Sequence, residues 1–112
     1  MRRGEIWTAS GPGYAGTPRP VVIVQDDRFD ATGSVMVCPL TTNQIEAPLF
    51  RPVVEPSPLN GLTTASRLMV DKLTAAPRDR VRERVGTLEP DHLVALERST
   101  IVFLGMAGPG TA

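Results

Sequence analysis

Apolar residues fall in short runs divided by turn-forming residues, and only the last run repeats with a helical period. Ile6 and Trp7 within Glu5–Thr8 predict a first strand. Three Gly and two Pro between Ser10 and Pro18 end it in a loop. Arg19-Pro20 leads into Val21–Gln25, a β-branched run typical of a buried strand. Pro20 has no amide donor and belongs at that strand's first residue or on an edge. Asp26–Gly33 is polar and turn-like. Ser34–Leu40 predicts a third strand, with Val35, Val37 and Pro39 on one face, ended by Thr41-Thr42-Asn43-Gln44. Leu49–Glu55 predicts a fourth, and Asn60-Gly61 a turn. Ser66–Thr74 reads as one further strand in which Leu68, Val70 and Lys72 alternate with Met69, Asp71 and Leu73. Pro77–Arg80 reads as a single helical turn and Val81–Leu88 as a short strand.

The one helix starts at Pro90, a residue tolerated in the first helical position, with Asp91 at the positive end of the dipole. Leu93, Leu96, Thr100, Phe103 and Leu104 then form one amphipathic stripe, and Gly105 stops it. About five or six strands followed by a helix predict a mostly β fold: a strongly curved antiparallel sheet or small barrel with the helix packed on it. The 112 residues suit a single domain, taken as residues 1–107, with 108–112 a flexible tail.

Composition narrows the chemistry. Cys38 is the only cysteine, so an internal disulfide and a cysteine-based metal cluster are both excluded. No apolar stretch follows Met1-Arg2-Arg3, and the longest aliphatic run, Val21–Val24, falls far short of the roughly 20 residues that span a bilayer. A soluble, cytoplasmic protein is expected. Twelve basic and twelve acidic residues cancel, which does not favour a sequence-blind nucleic-acid binder. Eleven of the basic residues are Arg, but a GC-rich genome explains that bias as well as phosphate binding does.

The phosphate-binding Gly-Lys-Ser/Thr loop, the dinucleotide fingerprint and the HExxH pair are all absent. One His and one Cys exclude the common zinc sites, and no cofactor is expected. His92, beside Asp91, reads as a solvated surface residue and Cys38 as core. What remains is Arg, Thr and Asp. These suit RNA cleavage in which the ribose 2′-OH is the nucleophile, because the protein need only stabilise phosphorane charge and move protons.

Several short segments resemble one family in order and spacing. Arg3-Gly4-Glu5-Ile6-Trp7, Arg19-Pro20-Val21-Val22-Ile23, Val37-Cys38-Pro39-Leu40-Thr41-Thr42, Val70-Asp71-Lys72-Leu73-Thr74 and Val85-Gly86-Thr87-Leu88 resemble the landmarks of MazF/PemK (Kid-like) toxins of type II toxin–antitoxin systems. The helix also ends in Phe103-Leu104-Gly105, as theirs often does. The resemblance spans about residues 2–106. It implies an SH3-like curved antiparallel β-barrel with a C-terminal helix, working as a homodimer. It further implies a bacterial, cytoplasmic endoribonuclease that cuts single-stranded RNA at short sequences, leaving a 2′,3′-cyclic phosphate and a 5′-OH and inhibiting translation and growth. An antitoxin whose disordered tail lies over the dimer groove would neutralise it.

Carried over by position, the resemblance makes Arg19 the catalytic arginine and Thr41 its partner at the phosphate. Asp71 falls where some members place an acidic base, with an inward or dimer-facing salt bridge as the alternative. Met69 stands where some members have an arginine, and Tyr14 where several have an acidic residue. Tyr14, Thr17, Arg28, Phe29, Thr42, Gln44 and Arg67 are candidate RNA contacts, Tyr14 and Phe29 as stacking surfaces. Arg78, Arg80, Arg82 and Arg84 would share one face if extended, as a solvated face or a stripe that tracks RNA. A non-enzymatic, gyrase-binding toxin like CcdB is the alternative on the same fold, and a peptide-binding SH3-like module a third reading.

Overall fold

A computed structural model describes residues 1–11, 17–43, 45–106 and 108. Apart from Gly108, the expected tail lies outside the described residues. The strands are β1 (Glu5–Ala9), β2 (Arg19–Ile23), β3 (Ser34–Thr41), β4 (Val53–Val54), β5 (Ser66–Leu68), β6 (Thr74–Pro77) and β7 (Val81–Thr87), followed by helix α1 (Pro90–Phe103). The sheet runs β4-β5-β3-β2-β1-β7, with β6 also paired to β3, and every pairing is antiparallel.

The centre of β2 explains why this sheet curls. Val21, Val22 and Ile23 are all buried, so both faces of the strand are covered. A single helix covers only one of them. Ile6, Val22 and Cys38 stand opposite one another across β1, β2 and β3. They share a core with Leu40, Val54, Leu68, Val70, Leu88 and Leu96, the last from α1. Burying Leu96 stabilises the docked helix by roughly 1.5–3 kcal/mol. Val21, Ile23, Val35, Val37, Ala76 and Val81 form a second core on the other face, closed by the curl of the sheet, with Trp7 against it. The result is a curled antiparallel half-barrel with one C-terminal helix. Among the described residues, no helix is long and apolar enough to cross a membrane.

Helix α1 starts at Pro90 and ends in a Schellman arrangement. The Met106 N–H donates to Ile101 O (2.9 Å) and the Gly105 N–H to Val102 O (3.1 Å). Gly105 sits at φ +71°, a conformation that costs a side-chain-bearing residue energy.

The expected Ser66–Thr74 strand is instead two strands joined by a 3₁₀ turn, Val70–Lys72. Both halves pair with β3, β5 at Leu40–Thr41 and β6 along Ser34–Val37. The register slips between them by the three residues of the turn. Alternation does not reveal such an insertion, because Leu68 and Val70 remain buried either way.

The expected Leu49–Glu55 strand shrinks to Val53–Val54. Residues 47–51 form a turn closed by the Arg51 N–H donating to Ala47 O at 2.7 Å. Pro52 cannot donate to a ladder, which keeps the strand short. In α1, Phe103 is 46% exposed rather than core, its ring 5.5 Å from that of Phe50. His92 is half-buried rather than solvated. Of the four arginines from Arg78 to Arg84, Arg80, Arg82 and Arg84 are exposed, as on a solvated face, whereas Arg78 donates to the Thr32 carbonyl; Arg84 also pairs with Glu5 at 3.4 Å and donates to Thr87 Oγ1 at 2.8 Å.

Candidate active site

Arg19 is the first residue of β2 and Thr41 the last of β3. The β2–β3 register pairs Val21 with Pro39, and carrying it two residues further sets Arg19 across from Thr41. Residues that stand opposite in an antiparallel pair project to the same face. The two motifs therefore meet because of the ladder between them, although 21 residues of chain separate them (19 to 41).

Both line a cavity of about 470 Å³, together with Asn43, Arg51, Met69, Lys72, Thr74 and neighbouring apolar groups. Three cations, Arg19, Arg51 and Lys72, thus face the cavity, and no carboxylate is among its described lining residues. Such a site favours a polyanion. Arg19 is exposed and makes no ion pair among the described residues. The Thr41 hydroxyl accepts a hydrogen bond from the Asn43 N–H at 3.1 Å, which occupies an oxygen lone pair and leaves the hydroxyl proton to donate.

Asp71 is one side chain removed from the cavity. Its Oδ1 and Oδ2 accept from Arg51 Nε and Nη2, each at 2.9 Å. The Arg51 guanidinium holds the Asp71 carboxyl below its ordinary value of 3.8, and Asp71 raises that of Arg51. A carboxylate with both oxygens engaged and a depressed pKa is a weak proton acceptor at neutral pH. The pair stabilises the fold fully above the unfolded pKa of about 4, and that stability is lost as pH falls through the lower folded value. In an NMR titration of the native protein, the Asp71 carboxyl should therefore ionise below the same group in denatured chain. A native midpoint at or above about 4 would contradict the pairing.

Among the described residues, the structure brings none of the other candidates to the cavity wall. Tyr14 and Gln44 lie outside the described residues. Thr17 and Thr42 are exposed on the segments flanking the site. Arg28 and Phe29 sit together on the 26–30 turn, with Arg28 5.6 Å from the Phe29 ring centre and bound to both Asp26 oxygens at 3.1 Å. Arg67 pairs with Thr41 in the β3–β5 ladder, yet it is buried and its Nη2 donates to Glu46 at 3.2 Å. Arg51 was not anticipated, because its segment reads as a strand. Cys38 is no nucleophile: burial, reinforced by the charge of Asp71, pushes its thiol up to about 12.

A family model described as PemK-like, MazF-like toxin of type II toxin-antitoxin system matches residues 2–104. A curated relative, the probable endoribonuclease MazF of Mycolicibacterium smegmatis, is 54% identical over 109 residues, covering 96% of this chain and all of the relative. Among solved structures, a mycobacterial endoribonuclease in complex with its cognate antitoxin superposes with a TM-score of 0.78 at 23% identity, covering 97% of this chain and 99% of that one. A MazE–MazF complex from Deinococcus radiodurans gives 0.76 at 21% identity, covering 94% and 95%. At those identities the solved structures establish the fold, while the family match and the curated relative extend to the sequence itself. The chain belongs to the PemK-like, MazF-like toxins of type II toxin–antitoxin systems.

Proposed function

We propose that this chain, an endoribonuclease by family, cuts single-stranded RNA in the Arg19–Thr41 cavity by attack of a ribose 2′-OH on the adjacent phosphate. The observation that carries the reading is the meeting of Arg19 and Thr41 on a cation-lined wall. The O2′–P bond forms as the P–O5′ bond breaks, giving a 2′,3′-cyclic phosphate and a 5′-OH. Arg19 stabilises charge on the phosphorane oxygens, and Thr41 donates its hydroxyl proton to one of them. The guanidinium stays protonated throughout, so its part is electrostatic. Asp71 holds Arg51, and the proton of the 2′-OH leaves to water at the exposed Arg19 rim. The O5′ leaving group takes its proton from water.

Loops around the cavity select the sequence that is cut, and cleavage of mRNA in the bacterial cytoplasm inhibits translation. The exposed apolar residues Ile101, Val102, Leu104 and Met106 on and after α1 fit a homodimer face, and a neutralising antitoxin is the expected partner.

The test is to map cut sites and end groups on a long defined RNA in the presence of EDTA. Products are expected to resist 3′-end ligation until the cyclic phosphate is removed, and to accept 5′ phosphorylation directly. Ends bearing 5′-phosphate, or activity abolished by EDTA, would overturn the mechanism. An intact RNA under conditions where DNA gyrase is inhibited would favour the CcdB-like alternative.

A further inference from the structure

Arg51, although it lies in a turn, is held at both its backbone and its side chain. Its own N–H closes the 47–51 turn on Ala47 O. On either side of it, Phe50 O accepts from the Val70 N–H at 3.1 Å and Pro52 O from the Leu68 N–H at 2.9 Å. The backbone that carries Arg51 is thus tied to the backbone that carries Asp71. The side chain is then fixed by Asp71 along one edge, through Nε and Nη2. A guanidinium has five N–H donors, and this pairing uses two of them. Among the described residues, Nη1 and the second Nη2 proton remain, and together they form the fork that matches two phosphate oxygens. Arg51 lines the same cavity as Arg19 and Thr41, and its side chain is only 11% exposed.

We propose that Arg51 is a second catalytic cation, which takes the non-bridging oxygens of the scissile phosphate on its outer fork, with Asp71 as its positioning residue. The inference rests on the RNA-cleaving reading above. Asp71 compensates the burial of the guanidinium and fixes its plane before substrate arrives, so little reorganisation is left for the reaction itself. Lys72, exposed on the same wall, is a flexible point charge without that geometry. Because phosphorane oxygens carry more charge than those of the diester, Arg51 acts more on the rate than on ground-state binding.

Arg51→Met alone strands a half-buried carboxylate, so the informative variant is Arg51→Met/Asp71→Leu, which removes both charges. Its folding is read by circular dichroism. Its single-turnover cleavage rate is expected to fall roughly 100-fold, with the Kd of a 2′-O-methyl, uncleavable oligonucleotide changed less than about tenfold. Arg51→Lys, keeping charge but not the fork, should recover only part of the rate. A second measurement needs no variant: side-chain arginine NMR of the wild type, titrated with the 2′-O-methyl oligonucleotide, should shift the Arg51 Nη1 signal. A folded double variant cutting at the wild-type rate, or an Arg51 signal unmoved by bound oligonucleotide, overturns the role of Arg51 and leaves the RNA-cleaving reading standing. Wild-type protein that cuts no RNA overturns both.

Discussion

Arg19→Ala is expected to lower the rate constant for RNA cleavage by about 10²–10³-fold, the size seen when one preorganised donor is removed from a developing anion. The fold should barely register the change. Arg19 is exposed, and its side chain makes no ion pair among the described residues. The strand it begins is held by the Ala9 pairing and by the burial of Val21, Val22 and Ile23, none of which involves the guanidinium. The midpoint of thermal unfolding should thus stay within about 2 °C of wild type, the range of surface substitutions. Arg19→Lys keeps a positive charge but loses the planar fork, so it should fall between the two. The check is single-turnover cleavage of a short RNA carrying one mapped cut site. A loss of less than about tenfold would mean that Arg19 is a bystander and that the phosphate is held elsewhere in the cavity.

How well the sequence exposes this site depends on which interactions build it. Arg19 and Thr41 are legible through the family resemblance, because Arg19 opens and Thr41 closes a strand whose apolar pattern fixes its place in the motif, and the ladder between those adjacent strands turns two motifs into one place. The helix is legible from Pro90 to Gly105 because its start and stop are set by local backbone chemistry. Arg51 is not. It comes from a turn whose residues, Leu49 to Arg51, carry the apolar character of a strand, although Leu49 is 72% exposed. Its partner Asp71 sits on a three-residue register slip, and no periodicity encodes such an insertion. Met69, where some relatives have an arginine, lines the cavity without charge, and the cation arrives from another segment altogether. Side-chain pairs between two irregular segments are fixed by tertiary packing, and a linear reading has nothing to detect them with. Phe103 illustrates the opposite error: its place in the stripe suggests core, but residues 101–106 at the helix end are all exposed.

Asn60→Leu is expected to cost about 3–5 kcal/mol of stability, although the two side chains share the same branched four-atom skeleton. Asn60 is fully buried and holds the 57–62 loop from within. Its Oδ1 accepts from the N–H groups of Ser57 and Leu62, both at 3.0 Å, and its Nδ2 donates to Glu55 O at 2.9 Å. Leucine removes all three partners at once, and each buried backbone group left unsatisfied costs about 1–3 kcal/mol. The loop has little room to find replacements. A Cβ on Gly86 of β7 would lie 2.4 Å from Asn60 O, and one on Gly61, at φ +69°, would lie 2.2 Å from Val85 O. Those two glycines let the loop lie against β7, where the Thr87 N–H donates to Leu59 O at 3.0 Å. A shift toward the strand is therefore blocked, and a shift away gives up that contact. For a domain of this size the loss corresponds to a fall of roughly 10–20 °C in Tm. Urea unfolding should show a lower midpoint with an unchanged slope, since the surface exposed on unfolding is the same. None of these residues lines the cavity, so the fraction that remains folded should still cut RNA at the wild-type rate. A variant that is fully folded yet slow would show instead that this loop, on the far edge of the sheet path from β4, is coupled to the site through the strands between them.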